Sequence, residues 1–451
     1  MDEFITGVDN YLASGLLPYY YLLVFISGLF LIFKYRFRVY PIFIVLLFWE
    51  GIFVYAGNSF SSTIYEFYKI FIVLFAVILL GGDFLNNLTS RFRWVNTLFL
   101  LYTTVIIISM FINSQPVLTS LSQYGKKYLL IFLIFHGLNS KRISSSILNN
   151  YKEIIFNVLL IQIILSIFKV LILNFGESVV GSVAFIGGGL ATTLPILGFL
   201  FIWQNSKGNL KTKDWLMLLG FLVVAVASNK RAPIFILPLL SVAMYTYVYR
   251  TRNIVSFFKY IPLVLLILYI GIRSNPSLNP EQSRWGSFDL AFATEYAADY
   301  MFGSERQLEV NDDIAYGRGG SFLMLFSQDP YNVPIEKLLF GQGVTEILKN
   351  YEEFDVDKYG VSQKGALNGA MLKYISYGIL GMILHFLLGL SYVTLSKQNR
   401  FINVLLLFFI GDFLFYDGVI FENGAMAFLL ILLVKNNSSV NYELQKANSY
   451  Y

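Results

Sequence analysis

Residues 154–173 read IIFNVLLIQIILSIFKVLIL. Twenty residues of α-helix rise about 30 Å, the thickness of a bilayer's hydrocarbon core. The stretch holds a single charge, Lys169, and reads as a helix that crosses a membrane. The rest of the chain shares its character. Of 451 residues, 56% are hydrophobic and 14% charged, and the mean hydropathy is +0.63. A soluble domain carries about 25% charged residues, so an ordinary cytosolic enzyme, a disordered chain and a nucleic-acid-binding module are all excluded. The absence of cysteine excludes disulfides, thiol catalysis and cysteine-based metal sites. Two histidines exclude a histidine-rich one.

Thirteen stretches are apolar enough to be spans: 16–33, 39–56, 64–82, 94–112, 124–138, 154–173, 183–203, 214–228, 232–249, 254–272, 367–395, 402–416 and 420–434. The expected fold class is therefore an all-α polytopic membrane protein with about thirteen transmembrane helices, eleven to fourteen being compatible with the pattern. The short pairs 214–228 with 232–249 and 402–416 with 420–434 read equally as re-entrant hairpins. The N-terminus has no basic segment before the first span, which is expected to be a retained signal anchor. One set of short loops holds Lys34, Arg36, Arg38, Arg91, Arg93, Lys141, Arg142, Lys152, Lys207, Lys211, Lys213, Arg250, Arg252, Lys397, Arg400, Lys435 and Lys446; the alternate set holds only Lys126, Lys127, Lys230 and Arg231. The positive-inside rule puts the first set in the cytoplasm, the N-terminus outside and the C-terminus inside.

Four segments follow: a transmembrane bundle 1–273, a large external loop 274–366, the last spans 367–434, and a cytoplasmic tail 435–451 expected to be disordered. The loop holds 15 of the 28 Asp and Glu residues of the chain. Its Trp285, Phe288, Phe292, Phe322 and Phe326 recur at roughly helical spacing, which predicts a small helical lid.

Lys230 and Arg231 break the charge rule. Arg231 lies 18 residues after Lys213, about 27 Å along a helix, which sets it at the outer lip of the bundle. A cation there marks a site when it faces a cavity; the plainer reading is a side chain reaching up to lipid headgroups. In the loop, Arg318 is flanked by Gly317 and Gly319, whose small size lets backbone approach a ligand, and a guanidinium grips phosphate through paired hydrogen bonds. Arg284 and Arg306 read more simply as solvated or carboxylate-paired. His136 and His385 are expected to be buried, hydrogen-bonded helix residues. Lys69, Lys169 and Lys259 are expected to snorkel from near span ends, while Glu50 and Asp412 face the bundle interior. Asp355-Val356-Asp357 reads as an exposed acidic turn rather than a metal site. The triple glycine 187–189 is expected inside the span 183–203, where it permits close helix or lipid approach.

Three stretches carry a resemblance. Ser228-Asn229-Lys230-Arg231-Ala232 is similar to a small-residue-plus-Arg motif on a short outer loop. Gly317-Arg318-Gly319, then Phe322, then Leu338-Leu339-Phe340-Gly341-Gln342-Gly343 is similar to a loop pattern of Arg, aromatic and Gly-x-Gly. Ala366-Leu367-Asn368-Gly369 followed by Tyr377-Gly378-Ile379-Leu380-Gly381 is similar to an Asn-containing start of the next span. In this order they resemble the O-antigen polymerase and ligase superfamily of bacterial inner membranes. The resemblance implies a GT-C-like membrane fold and a metal-independent, cofactor-free glycosyltransferase. Its donor would be a glycan on undecaprenyl pyrophosphate, and a chain-length regulator would be a partner. It implies Arg231 and Arg318 as catalytic cations, and Lys230, Arg284, Arg306, Asn368, Gly341 and Gly343 as substrate-binding residues. Asp312, Asp313 or Asp329 would be the base. Ligases of the superfamily carry a histidine where this chain has Leu367, which favours a polymerase. A ligase-type transferase and a lipid-linked oligosaccharide flippase are the rival expectations.

Overall fold

The computed structural model describes residues 15–87, 92–140, 143, 145–173, 180–185, 188–228, 230–249, 261–283, 285–302, 334–343, 368–394, 399–416 and 418–448. Among them the protein is all-helical, without strands. Seventeen helices are labelled here in chain order: α1 (Leu17–Lys34), α2 (Val39–Phe48), α3 (Glu50–Ser59), α4 (Ser62–Asn87), α5 (Arg93–Ile112), α6 (Val117–Tyr124), α7 (Leu130–Leu138), α8 (Ser145–Leu173), α9 (Leu190–Ser206), α10 (Thr212–Ala227), α11 (Arg231–Ala243), α12 (Ile261–Ser274), α13 (Leu290–Phe302), α14 (Ile335–Phe340), α15 (Gly369–Thr394), α16 (Arg400–Phe415) and α17 (Gly424–Asn448). A π-helical turn, Gly125–Leu129, joins α6 to α7. By length and composition six helices can cross a membrane, or seven if the pair α2 and α3, bent by 55°, is one broken span.

Where described, the thirteen expected stretches lie mostly on helix; 186–187, 254–260, 367 and 395 fall outside the described residues, and three differences stand out. The helix expected from 183 begins only at Leu190, so Gly188 and Gly189 precede α9 instead of lying inside it. The span 39–56 breaks at Trp49. The segment 435–448, expected to be disordered, continues α17 as helix.

The chain divides into two compact units: residues 1–79, 138–293 and 424–451, and residues 80–137 and 294–423. This division cuts across the expected loop 274–366, since 274–293 belong to the first unit.

At the centre of the first unit lies α9, every residue from Ala191 to Gln204 being buried. A helix apolar on all sides belongs in the middle of a bundle. It packs against α8, α10, α11 and α17. In lipid there is little hydrophobic drive between helices, so close packing and interhelical hydrogen bonds carry the association. Both are present. A side chain at Gly198 would collide with the Phe221 ring of α10. Gln204 Nε2 donates to the Leu433 carbonyl at 2.7 Å, and Asn436 Nδ2 donates to Gln204 Oε1 at 3.0 Å.

The polar residues of 154–173 serve a second packing problem. Gln162, Ser166 and Lys169 are spaced to share one face of α8, and all three are buried. Against them lies the non-helical segment 180–185. The Ser182 N–H donates to Gln162 Oε1 at 2.8 Å, and Gln162 Nε2 donates to Ser182 Oγ at 2.6 Å. The Gly181 N–H donates to Ser166 Oγ at 2.8 Å, while Tyr20 Oη donates to the Gly181 carbonyl at 3.0 Å. Lys169 Nζ donates to the carbonyls of Phe185 (2.6 Å), Ala184 (3.3 Å) and Val180 (3.4 Å). The Gly51 N–H, just past the α2–α3 break, donates to the Ser182 carbonyl at 2.8 Å. Non-helical backbone at membrane depth is tolerated only where protein satisfies it, and α8 does so here. Lys169 is thus a fully buried clamp, not the snorkelling side chain its position suggests.

In the second unit α15 packs on α5, α14 and α16 and breaks at Gly378 (φ 69°, ψ −173°). Gly341 (φ 75°) sits against that break, and an added Cβ would lie 2.4 Å from the Tyr377 nitrogen. The Gln342 and Gly343 N–H groups donate to the carbonyls of Ile375 (2.7 Å) and Ser376 (3.0 Å).

Candidate functional site

In the first unit, α10 ends at Ala227 and α11 begins at Arg231, its first helical residue, after Lys230 in extended backbone. The N-cap residue, Lys230, makes no side-chain capping bond. Beside it, α12 ends at Ser274 and a 3-10 turn, Pro276–Leu278, follows. That turn brings Ser277 to Arg231, whose Nη2 donates to Ser277 Oγ at 2.6 Å. Both Lys230 and Arg231 are half-buried. A cation at a helix N-terminus opposes the helix dipole. Two adjacent cations therefore stand at the N-terminal end of α11, an arrangement suited to an anion.

Ser277 is held by the opening of the expected external loop, which is a compact polar knot. Fully buried Asn279 donates Nδ2 to the carbonyls of Asn275 and Ser283, each at 2.8 Å, and accepts the Ser283 N–H at 3.2 Å. Arg273 Nε donates to the Gly286 carbonyl at 2.7 Å, and Asn275 Oδ1 accepts the Ser277 N–H at 3.1 Å. Glu281 Oε2 accepts the Ser287 N–H (2.8 Å) and Oγ–H (2.9 Å). Those two bonds hold the Glu281 carboxyl below the usual carboxylate range. Trp285 and Phe288 precede α13 and are exposed, so they are not part of the helical core expected for a lid.

The second unit holds a cluster that sequence reasoning missed. Glu422, between α16 and α17, accepts Lys127 Nζ at 2.7 Å and also bonds the Lys373 ammonium. Lys373 Nζ donates further to Tyr128 Oη at 3.0 Å. The rings of Tyr102 and Tyr377 close around Tyr128, with centroids at 5.1 and 6.1 Å. Lys127 lies in the π-helical turn, whose extra residue changes the face on which it emerges. The cavity bordering Lys127, Tyr128 and His385 measures about 10 Å³, room for one water at most. No substrate fits there in this conformation. Glu422 was legible only as a single acid between two apolar helices, with nothing nearby in sequence to pair it.

Of the sequence-predicted site residues, Lys230 and Arg231 stand together in the first unit. Gly341, Gly343 and Asn368 are in the second, and each has a structural task. Asn368 is fully buried, and its Oδ1 caps α15 by accepting the Met371 N–H at 2.9 Å; Gly341 and Gly343 seat the backbone against the α15 break. Asn113 ties the same place down, donating Nδ2 to the Gly341 carbonyl at 3.1 Å and bonding the Lys337 ammonium. Arg284, Arg306, Arg318, Asp312, Asp313 and Asp329 lie outside the described residues, as do Lys259 and Asp355 to Asp357. His136 is buried and bonded to Asn96 Oδ1 at 2.9 Å. His385 is buried among Tyr102, Tyr128 and Phe413, with its Nδ1 unbonded among the described residues instead of hydrogen-bonded as expected. Lys69, expected to snorkel, is buried and paired with Glu66 at 2.5 Å. Glu50 and Asp412 are both buried; Glu50 accepts Tyr65 Oη at 2.9 Å. Among the described residues no cluster of His, Asp and Glu is arranged to hold a metal ion.

Comparison with known proteins yields no match to a family model, to a curated protein or to a solved structure. The functional reading therefore rests on the residues of this chain.

Proposed function

We propose that the protein is a polysaccharide polymerase of a bacterial inner membrane. It has about thirteen spans in a GT-C-like arrangement, the N-terminus outside and the C-terminus cytoplasmic. It transfers a glycan from undecaprenyl pyrophosphate to a lipid-linked repeat unit on the outer face. The observation that carries this reading is Arg231, half-buried at the start of α11 and braced by Ser277. The acceptor hydroxyl oxygen attacks the anomeric carbon, the bond to the pyrophosphate oxygen breaks, and the lipid pyrophosphate leaves with its negative charge. Preorganised cations at that charge lower the barrier, and Arg231, Lys230 and the α11 N–H groups supply them. Arg318 is the second cation in this reading. The acceptor proton goes to a loop carboxylate, with Asp312, Asp313 and Asp329 as the choices. Neither a metal nor a cofactor is part of this scheme.

The test is the surface polysaccharide of cells carrying Arg231→Ala or Arg231→Lys, with membrane levels of the protein measured in parallel. Both variants are expected to stop chain growth, leaving single repeat units, a loss of at least about 10²-fold in polymer. Normal long chains from Arg231→Ala would remove the site assignment. A lipid-linked oligosaccharide flippase is the second reading. It is favoured by the Lys127–Glu422–Lys373 cluster, in which Lys373 is buried and the other two part-buried, since intramembrane charge marks transport paths. Its loss would strand repeat units on the cytoplasmic side, where external glycosidases do not reach them. A ligase would instead leave long polymer unattached.

A further inference from the structure

The turn between α1 and α2 reads Tyr35-Arg36-Phe37-Arg38. Between this turn and the start of α8 lies a cavity of about 430 Å³, lined by Lys34, Arg36, Arg38, Tyr40, Tyr151 and Glu153 among others. That volume is in the range of small-ligand sites. Three cations against one carboxylate leave the lining with a net charge of +2.

The walls are braced. Lys34 Nζ donates to Asn157 Oδ1 at 3.1 Å, and Asn157 Nδ2 donates to Tyr35 Oη at 2.7 Å, so α8 pins the turn from one side. The Tyr40 ring meets the buried Tyr151 ring edge-on at 5.6 Å. The turn itself holds two successive non-glycine residues in left-handed backbone, Arg36 (φ 55°) and Phe37 (φ 52°). Such geometry is disfavoured for residues with a Cβ and persists where its surroundings over-determine it. Here the N–H groups of Arg36, Phe37 and Arg38 close the turn onto the carbonyls of Phe33 (2.9 Å), Ile32 (3.0 Å) and Tyr35 (3.3 Å). The guanidinium groups of Arg36 and Arg38 are exposed and make no hydrogen bond or ion pair with another described residue.

The surroundings say which anion fits. Lys34 is the last residue of α1, a helix long and apolar enough to cross a membrane, so the cavity opens where lipid meets water. Phe33 and Phe37 pack edge-on at 4.7 Å and are 61% and 56% exposed. An exposed aromatic pair beside cations is the composition of a membrane interface. Guanidinium groups bind phosphate through paired, charge-assisted hydrogen bonds, and basic pockets at helix ends take anionic headgroups. From these observations we infer that the cavity is a binding site for the phosphate-bearing headgroup of an anionic membrane lipid, held by Arg36 and Arg38. This inference does not rest on the polymerase reading.

Native mass spectrometry of the full-length protein, titrated in detergent with cardiolipin or phosphatidylglycerol, reads the site directly. The wild type is expected to retain one anionic lipid saturably, more weakly as salt rises. Arg36→Asn with Arg38→Gln is expected to weaken retention about 25-fold, from about fivefold per cation removed. Asparagine suits the left-handed backbone at position 36, so the charge goes without new strain. Arg38 has ordinary extended backbone (φ −68°), so Arg38→Gln alone gives a second reading of about fivefold should the double variant misfold. Exposed Arg93→Gln serves as the charge control and is expected to leave retention unchanged. Equal binding of phosphatidylcholine, equal retention by the double variant, or displacement of the lipid by equimolar soluble pyrophosphate would each overturn the assignment, the last by making the ligand a free phosphate.

Discussion

Two buried lysines answer the same problem differently. Lys169, on α8 in the first unit, is clasped by the backbone carbonyls of Val180, Ala184 and Phe185 and lies 5.6 Å from the centroid of the Tyr20 ring. Lys373, on α15 in the second, is held by the Glu422 carboxylate, which Lys127 shares, and by Tyr128 Oη. The first ammonium secures a strip of non-helical backbone that would otherwise carry unmet carbonyls in an apolar medium. The second belongs to a charge network whose middle member, Glu422, keeps two cations from facing each other. A carbonyl cage degrades by parts, one hydrogen bond at a time. A carboxylate between two ammonium groups fails at once, because removing it leaves uncompensated buried charge.

This contrast sets an order of effects. Glu422→Gln is expected to cost the most, about 3–5 kcal/mol, seen as a lowered melting temperature in detergent. Glu422→Asp, which keeps the charge, should cost visibly less. Lys169→Met keeps the length of the side chain and removes its donors. It is expected to cost about 1–3 kcal/mol, with faster amide exchange confined to residues 180–185. If Lys169→Met proves as costly as Glu422→Gln, or loosens the whole unit, the distinction between cage and network is wrong. The smallest effect belongs to a surface carboxylate. Glu281 is held below the usual carboxylate range by the Ser287 N–H and hydroxyl, so its folded form prefers the charged state. Its stabilisation is therefore complete at neutral pH and disappears as the pH falls through its lowered folded value. Amide exchange at Ser287 should be protected at neutral pH and accelerate relative to the Glu281→Gln variant's profile only in that acidic range. A pH-independent difference between the two would remove the carboxylate from the account.

Much of this architecture was legible beforehand, and the exceptions have physical causes. Apolar length located the long helices of the two units, though not α6, α13 or α14, because backbone in lipid has no partner but itself. Length could not show that residues 183–185, 188 and 189 precede α9, since an apolar strip with glycines looks the same whether helical or tucked in as loop. The signal that would have found it sits in the deciding stretch. Gln162, Ser166 and Lys169 form a polar stripe on one face of an otherwise greasy helix, and such a stripe implies a polar object beside it. Likewise the lone cations at 69 and 169 sit near helix ends, where snorkelling is the simpler expectation, yet both are buried. Arg231 was visible because it violated the charge asymmetry of the loops. Its partner Ser277, 46 residues away, was not.

Composition and apolar run length determine that this chain is helical, with several helices apolar and long enough to cross a membrane, since those properties follow from the solvent each residue prefers. Which buried charges meet, where helices break, and which glycines are spent on close backbone approach depend on contacts between distant segments. Glu422 finds Lys127 across 295 positions, and Gly341 seats against the break at Gly378. No local rule of propensity or hydropathy encodes such pairings, because their energy exists only once the helices have packed.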